Sequence, residues 1–270
     1  MRRVLSIALL LTALTVLVGS PAALADSGGS SDPPGWRIAA GVQIYLGGYR
    51  RSSSPYTWRQ MDASSGLDRF DRDLPIEKVI AGVRYRLYQR IGLGSTVLVW
   101  IPQRTREQLA FDGRAYVSRL LPAPSLDAAP PLDAGIVTVG TWFWTTTAWR
   151  PLRVTAQVPG PSGIVWATTT ATPARLLIDP GDGSAPVVCD GPGRPWLPEH
   201  GDEATSECMH TFRHSSVLAP DGRAFPAVVS IEWQVTWTSS SGAGGVLAPI
   251  TTTTGVPITV REIQAIVTSP

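Results

Sequence analysis

The chain is short of charge, sulfur and lysine. Only 16% of its 270 residues are charged, two are cysteine and three are histidine. Lys78 is the single lysine among 23 basic residues. Each shortage narrows the functions open to it. No Gly-x-x-x-x-Gly-Lys-Ser/Thr occurs, and Lys78 sits in Glu77-Lys78-Val79, so phosphate cradling and nucleotide binding have no support. No Gly-x-Ser-x-Gly elbow presents a serine nucleophile. Thinly spread basic charge argues against nucleic acid, which needs a dense Lys/Arg face. No apolar run reaches the ~18 to 20 residues of a membrane-spanning helix.

What is present begins with a targeting segment at residues 1–25. Arg2 and Arg3 are its positive start, and residues 4–18 are its apolar core. Ala23-Leu24-Ala25 is a small-x-small cleavage pattern before Asp26. The expectation is export, with cleavage after Ala25. The protein is then secreted or envelope-associated, where a disulfide persists. The formal charge of +2 comes from Arg2 and Arg3. Beyond them the chain is neutral. Residues 26–133 carry 14 basic and 11 acidic side chains, and residues 134–270 carry 7 and 10.

Residues 26–35 are Ser, Gly, Pro and Asp, the composition of a disordered tether. Residues 36–121 read as a small α+β unit. A short strand is expected at 38–45. The charge-alternating run at 68–73 reads as a solvated loop. A hairpin is expected over 79–101, turning at Gly92-Leu93-Gly94. Val83, Tyr85, Leu87 and Ile91 fall on its inner face, and Arg84, Arg86, Tyr88 and Arg90 on its wet face. Thr96 to Ile101 is nearly all apolar and reads as the more buried partner. Three arginines on one face could meet an anion, but a wet face accounts for them equally. Residues 105–121 read as a helix. Thr105 and Gln108 match a capping box, Leu109, Tyr116, Val117, Leu120 and Leu121 form a stripe, and Pro122 stops it. That stripe is expected to cover the hairpin. Gly113 weakens the helix middle by ~1 kcal/mol relative to Ala. Residues 122–133 are Pro-rich and read as a linker.

From 134 to 270 the pattern is all β. Strands are expected at 136–139, 152–158, 164–172, 174–178 and 187–189. The strongest is 229–237, where Val229, Ile231, Trp233, Val235 and Trp237 alternate with Ser230, Glu232, Gln234 and Thr236. Further strands follow at 250–254 and 256–266. Short strands between regular turn signals indicate a β-sandwich. Cys189 and Cys208 are the only cysteines, and in an exported protein they are expected to pair. Closing that loop stabilises by roughly 3 kcal/mol in the chain-entropy model. The enclosed residues are rich in Pro, Gly and acids, with little else to order them.

Asp179-Pro180-Gly181-Asp182-Gly183-Ser184, then His210-Thr211-Phe212, then a long alternating strand, resembles a PKD domain. That family carries Trp-Asp-Phe-Gly-Asp-Gly and a later His-Thr-Tyr. The resemblance covers roughly residues 150–265 and implies an immunoglobulin-like β-sandwich. In it Asp179, Gly181, Asp182, Gly183, His210 and Phe212 carry the motif, and His210 is structural, near the Asp-Gly turn. Here Ile178 stands where the family has Trp and Pro180 where it has Phe. The stretch between the motifs is longer and holds both cysteines. The chain is also similar to a group of secreted actinobacterial proteins. The shared strings are Ala171-Thr172-Pro173, Gly181 to Ser184, Cys189-Asp190-Gly191-Pro192-Gly193, a Thr-Trp-Phe-Trp start at 141–144 and Trp-x-Val-Thr-Trp at 233–237.

His200, His210 and His214, with Asp202, Glu203, Glu207 and Cys208, are the candidate metal ligands. Their spacing matches no zinc pattern, and Cys208 has a partner in Cys189. Asp179 and Asp182 lack calcium-loop spacing. The expectation is therefore no metal, no cofactor and no assigned catalytic residue. A Ser-His-Asp triad is set by geometry and stays open as an alternative. Trp142, Trp144 and Trp196 are the candidate binding aromatics, for stacking on a sugar or anchoring a protein. The alternative for them is core packing. The functional expectation is an exported, non-enzymatic β-sandwich module that meets an extracellular protein or glycan. The competing reading is a secreted carbohydrate-binding protein or hydrolase.

Overall fold

Strict apolar–polar alternation builds the centre of the molecule. Strand β14 (Phe225–Ser239) buries every second residue along its length, from Phe225 through Trp233 to Ser239, and turns the others outward. A period of two puts all its large side chains on one face. The computed structural model describes residues 36–39, 42–48, 56–62, 75–201 and 204–263. The expected targeting segment, the tether and the 68–73 run lie outside them. The described chain is mainly β, in several antiparallel sheets, with one α-helix.

The largest sheet has seven strands. β1 (Trp36–Ala39), β2 (Val42–Leu46), β10 (Leu152–Gly160), β11 (Gly163–Asp179), β14 and β15 (Gly244–Ile258) lie side by side in that order. β12 (Val187–Cys189) pairs with the far end of β11, beyond β10. β11 joins two expected strands into one. Its register shifts between Pro173 and Arg175, and this bulge accommodates the missing proline N–H.

A second sheet has the order β13 (Met209–Thr211), β9 (Gly140–Trp144), β7 (Asp127–Ala129). β8 (Gly135–Ile136) and β16 (Val260–Arg261) form a short parallel pair. The remaining sheet centres on β5 (Val83–Gly92). β6 (Ser95–Pro102) runs along one edge of it, while β3 (Thr57–Gln60) and β4 (Glu77–Ile80) share the other. The turn at Leu93-Gly94 has φ of 50° and 73°, the left-handed pair of a tight hairpin. Ala81-Gly82 repeats it with φ of 49° and 77°. That second turn escaped the sequence reading because Ala is a weak turn signal.

The hairpin faces differ from expectation. Tyr88, placed on the wet face, is 1% exposed and joins the central core with Ile101. Gln60 lies within reach of its hydroxyl at 3.2 Å. β6 is only half-buried until Ile101 and Pro102. An arginine-flanked tyrosine reads as surface from alternation alone. Here Arg86 pairs with Glu77 at 3.1 Å, so the face can turn inward around Tyr88.

Helix α1 (Arg106–Val117) begins at the expected capping box. Thr105 Oγ1 accepts from the Gln108 N–H at 3.2 Å, and Gln108 Oε1 accepts from the Thr105 N–H at 2.9 Å. Its buried face is Leu109, Ala110, Gly113 and Val117. Leu120 lies beyond its end and is exposed. The helix lies on β10 and β11 of the large sheet, not on the hairpin. Small residues explain why. A Cβ at Gly113 would sit 2.7 Å from Thr169 Oγ1, so helix and sheet approach as only glycine permits. Thr169 Oγ1 donates to the Ala110 carbonyl at 2.9 Å.

Residues from β2, β6, α1, β9, β10, β11 and β14 fall in a single buried cluster. β1 and β2, expected in the small N-terminal unit, extend the large sheet instead. The Pro-rich 122–133 stretch supplies β7 and the buried Leu126.

Candidate functional site

The Asp179–Ser184 stretch folds as two successive Asx turns. Asp179 Oδ1 accepts from the Gly181 N–H at 2.9 Å, and Asp182 Oδ1 accepts from the Ser184 N–H at 3.0 Å. Gly181 has φ of +75°, and a Cβ there would sit 2.8 Å from the Pro226 carbonyl. The turn is thus pressed against the start of β14. Gly183, at φ +85°, has open space around it and needs glycine for its backbone alone.

His210 reaches this turn from β13. Its Nε2 lies 2.8 Å from Asp182 Oδ2, and both side chains are nearly buried. The imidazole and the Phe212 ring meet at right angles, 4.6 Å between centroids. Phe212 stacks on Phe225 at 5.5 Å, joining the second sheet to β14. Burial pushes the Asp182 carboxyl up. Hydrogen bonds from Ser184 and His210 outweigh that and hold it below the usual aspartate value. The Ser184 hydroxyl donates to Asp182, not to His210. A hydrolytic triad needs the imidazole between the two, whereas here hydroxyl and imidazole both converge on the carboxylate.

Cys189 and Cys208 are joined, with Cα atoms 5.3 Å apart and both side chains fully buried. The loop they close has a second anchor, which the sequence reading missed. Trp142 of β9 is 2% exposed, and its indole N–H donates to the Arg194 carbonyl. The His200 ring stacks on it at 5.5 Å and 8°, and the Arg194 guanidinium lies 5.3 Å from its centroid. His200 Nδ1 accepts from the Leu197 N–H at 3.1 Å. Gly193 packs where a Cβ would sit 2.6 Å from the Phe143 carbonyl. A loop tryptophan-wrapping residue has no local signature, since its partners lie 52 positions away.

Trp142 is therefore a buried anchor, not an exposed sugar platform. Trp144 and Trp196 are half-buried, and Trp144 bridges to Gly193. Among the described side chains no tryptophan is exposed. Of the expected arginine face, Arg86 is held by Glu77 and the Arg90 guanidinium lies 4.8 Å from the Tyr56 ring, while Arg84 is exposed. His200, His210 and His214 do not converge. Among the described residues no group of three metal-ligating side chains forms, and Asp202 and Glu203 lie outside those residues. A shallow apolar groove runs beside the Asp-Gly turn, lined by Pro220, Phe225, Pro226, Val228 and Pro257. No family model, curated protein or solved structure matches this chain.

Proposed function

We propose that this chain is an exported immunoglobulin/PKD-like β-sandwich module. It serves interaction or scaffolding at the cell exterior and has no chemistry of its own. The observation that carries this reading is the use made of its rare reactive groups. His210 and Asp182 clamp a turn to a strand, and His200 packs on Trp142. Both cysteines are spent on a buried bridge, the bond an oxidising compartment preserves. The PKD likeness supports it further, because the Asp-Gly turn and the His-Thr-Phe segment meet as that motif implies.

Fractionation of expressing cells tests the reading. The protein should appear in the medium or on the envelope, lacking residues 1–25 and with no titratable thiol when unfolded. Surface crosslinking should then join it to an extracellular protein or glycan. A cytoplasmic protein with two free thiols would sink the proposal. So would ester or glycoside hydrolysis that His210→Ala abolishes in a folded variant.

A further inference from the structure

β15 is the free edge of the large sheet. It ends the strand order, and among the described residues nothing pairs with its outer side. The other edge strands are short, four residues in β1 and three in β12. β15 has fifteen, is exposed or half-buried from Gly244 to Pro257, and contains no charged residue. Proteins ordinarily guard an edge with charge, proline or brevity, because its unpaired N–H and C=O groups template another strand. Here the prolines only bound a window, at Pro249 and Pro257.

The register shows which backbone groups point outward. Pro226 lies opposite Pro257. Neither has an N–H, so they cannot form a pair that exchanges hydrogen bonds. The backbone groups of Pro257 therefore face away from β14. The register runs unbroken back to Ile250, so those of Gly255, Thr253 and Thr251 face outward too.

We propose that β15 pairs antiparallel with the β15 of a second copy, about a two-fold axis at Thr253. The window is nearly palindromic: Pro-Ile-Thr-Thr-Thr-Thr-Gly-Val-Pro. About that axis Thr253 meets Thr253, and Thr251 of one copy meets Gly255 of the other. Each is an outward-facing pair able to exchange two hydrogen bonds. Ile250 meets Val256, apolar against apolar. Pro249 meets Pro257 at both ends, where the ladder stops. An axis between residues is excluded, since it would set side chains of one sheet face against those of the other. Repulsion does not oppose the pairing. Glu232, opposite Thr251, is one strand inward and bound to Arg175 at 2.7 Å, and the Arg114 cation sits only at the Pro249 end, away from the axis. The Arg114 guanidinium donates to the Ala248 and Pro249 carbonyls at 2.8 and 2.9 Å, fixing one end of the window. A self-complementary, neutral edge favours a second copy over a strand of different sequence.

The pairing needs no extracellular ligand, so it can fail while the exterior-module reading stands, and the reverse. Sedimentation velocity of the purified protein from about 1 to 100 µM should show mass doubling with concentration. Thr253→Lys sets like charges across the axis and should weaken association at least about tenfold, with circular dichroism unchanged. Thr253→Cys should form an intermolecular disulfide, since residues of such a pair lie ~5.5 Å apart. Val246→Cys, exposed on the same strand outside the window, should not. A monomer throughout that range, or equal crosslinking at both positions, overturns the proposal. Slow amide exchange at Thr251 and Thr253 that persists on dilution also overturns it, because the edge would then be covered from within one chain.

Discussion

At Asp182 one carboxylate gathers the Ser184 backbone, the Ser184 hydroxyl and the His210 ring. Its carboxyl is held below the usual aspartate value in the folded state. The stability this contributes is therefore complete above the unfolded-state value and is lost as pH falls through the lower folded value. Asp182→Asn should flatten that acid limb in a denaturation series run against pH. It should cost about 2 kcal/mol at neutral pH, the scale of a lost charge-assisted hydrogen bond. The two turn glycines should separate. Gly181→Ala meets both a strained φ and the Pro226 backbone, while Gly183→Ala meets strain alone. Chemical denaturation should show Gly181→Ala the more damaging by at least ~1 kcal/mol.

Helix α1 shows how an element can defy its own propensity. Gly113→Ala would strengthen an isolated helix by ~1 kcal/mol. On this sheet the added methyl collides with Thr169, and the single substitution should destabilise. Thr169→Ala should relieve the collision, so the pair should be less than additive in a double-mutant cycle. The disulfide loop is an element with two fastenings. Trp142→Ala removes the ring under His200 and Arg194 while leaving the bridge. Limited proteolysis should then nick residues 190–207 faster, with the Cys189–Cys208 bond still holding the fragments together. Unchanged cleavage would mean that the bridge alone orders the loop.

For the whole molecule the shared core is decisive. β2, the helix, the hairpin residues Tyr88 and Ile101, and the long strands bury side chains in the same cluster. Unfolding should therefore be one cooperative transition, coincident by tryptophan fluorescence and far-ultraviolet circular dichroism. Two separated transitions would show that residues 36–121 and 134–270 fold apart. Reducing the disulfide should lower stability by about 3 kcal/mol without splitting that transition.

Local rules reached a good part of this. Alternation found β14, the capping box started α1, glycine pairs marked turns, and two cysteines found each other. Each of those signals lies within a few residues or in an unambiguous count. The sequence by itself determined that the chain is mainly β and bridged. What it left to tertiary structure was which surfaces meet. Tyr88 turned inward, Trp142 became the post of a loop, and α1 chose the broad sheet over the hairpin. The physical reason is common to all three. Alternation tells that a face is apolar or polar but not which distant face fits it. That fit depends on bulk removed, at Gly113 and Gly193, and on partners too far along the chain to read locally.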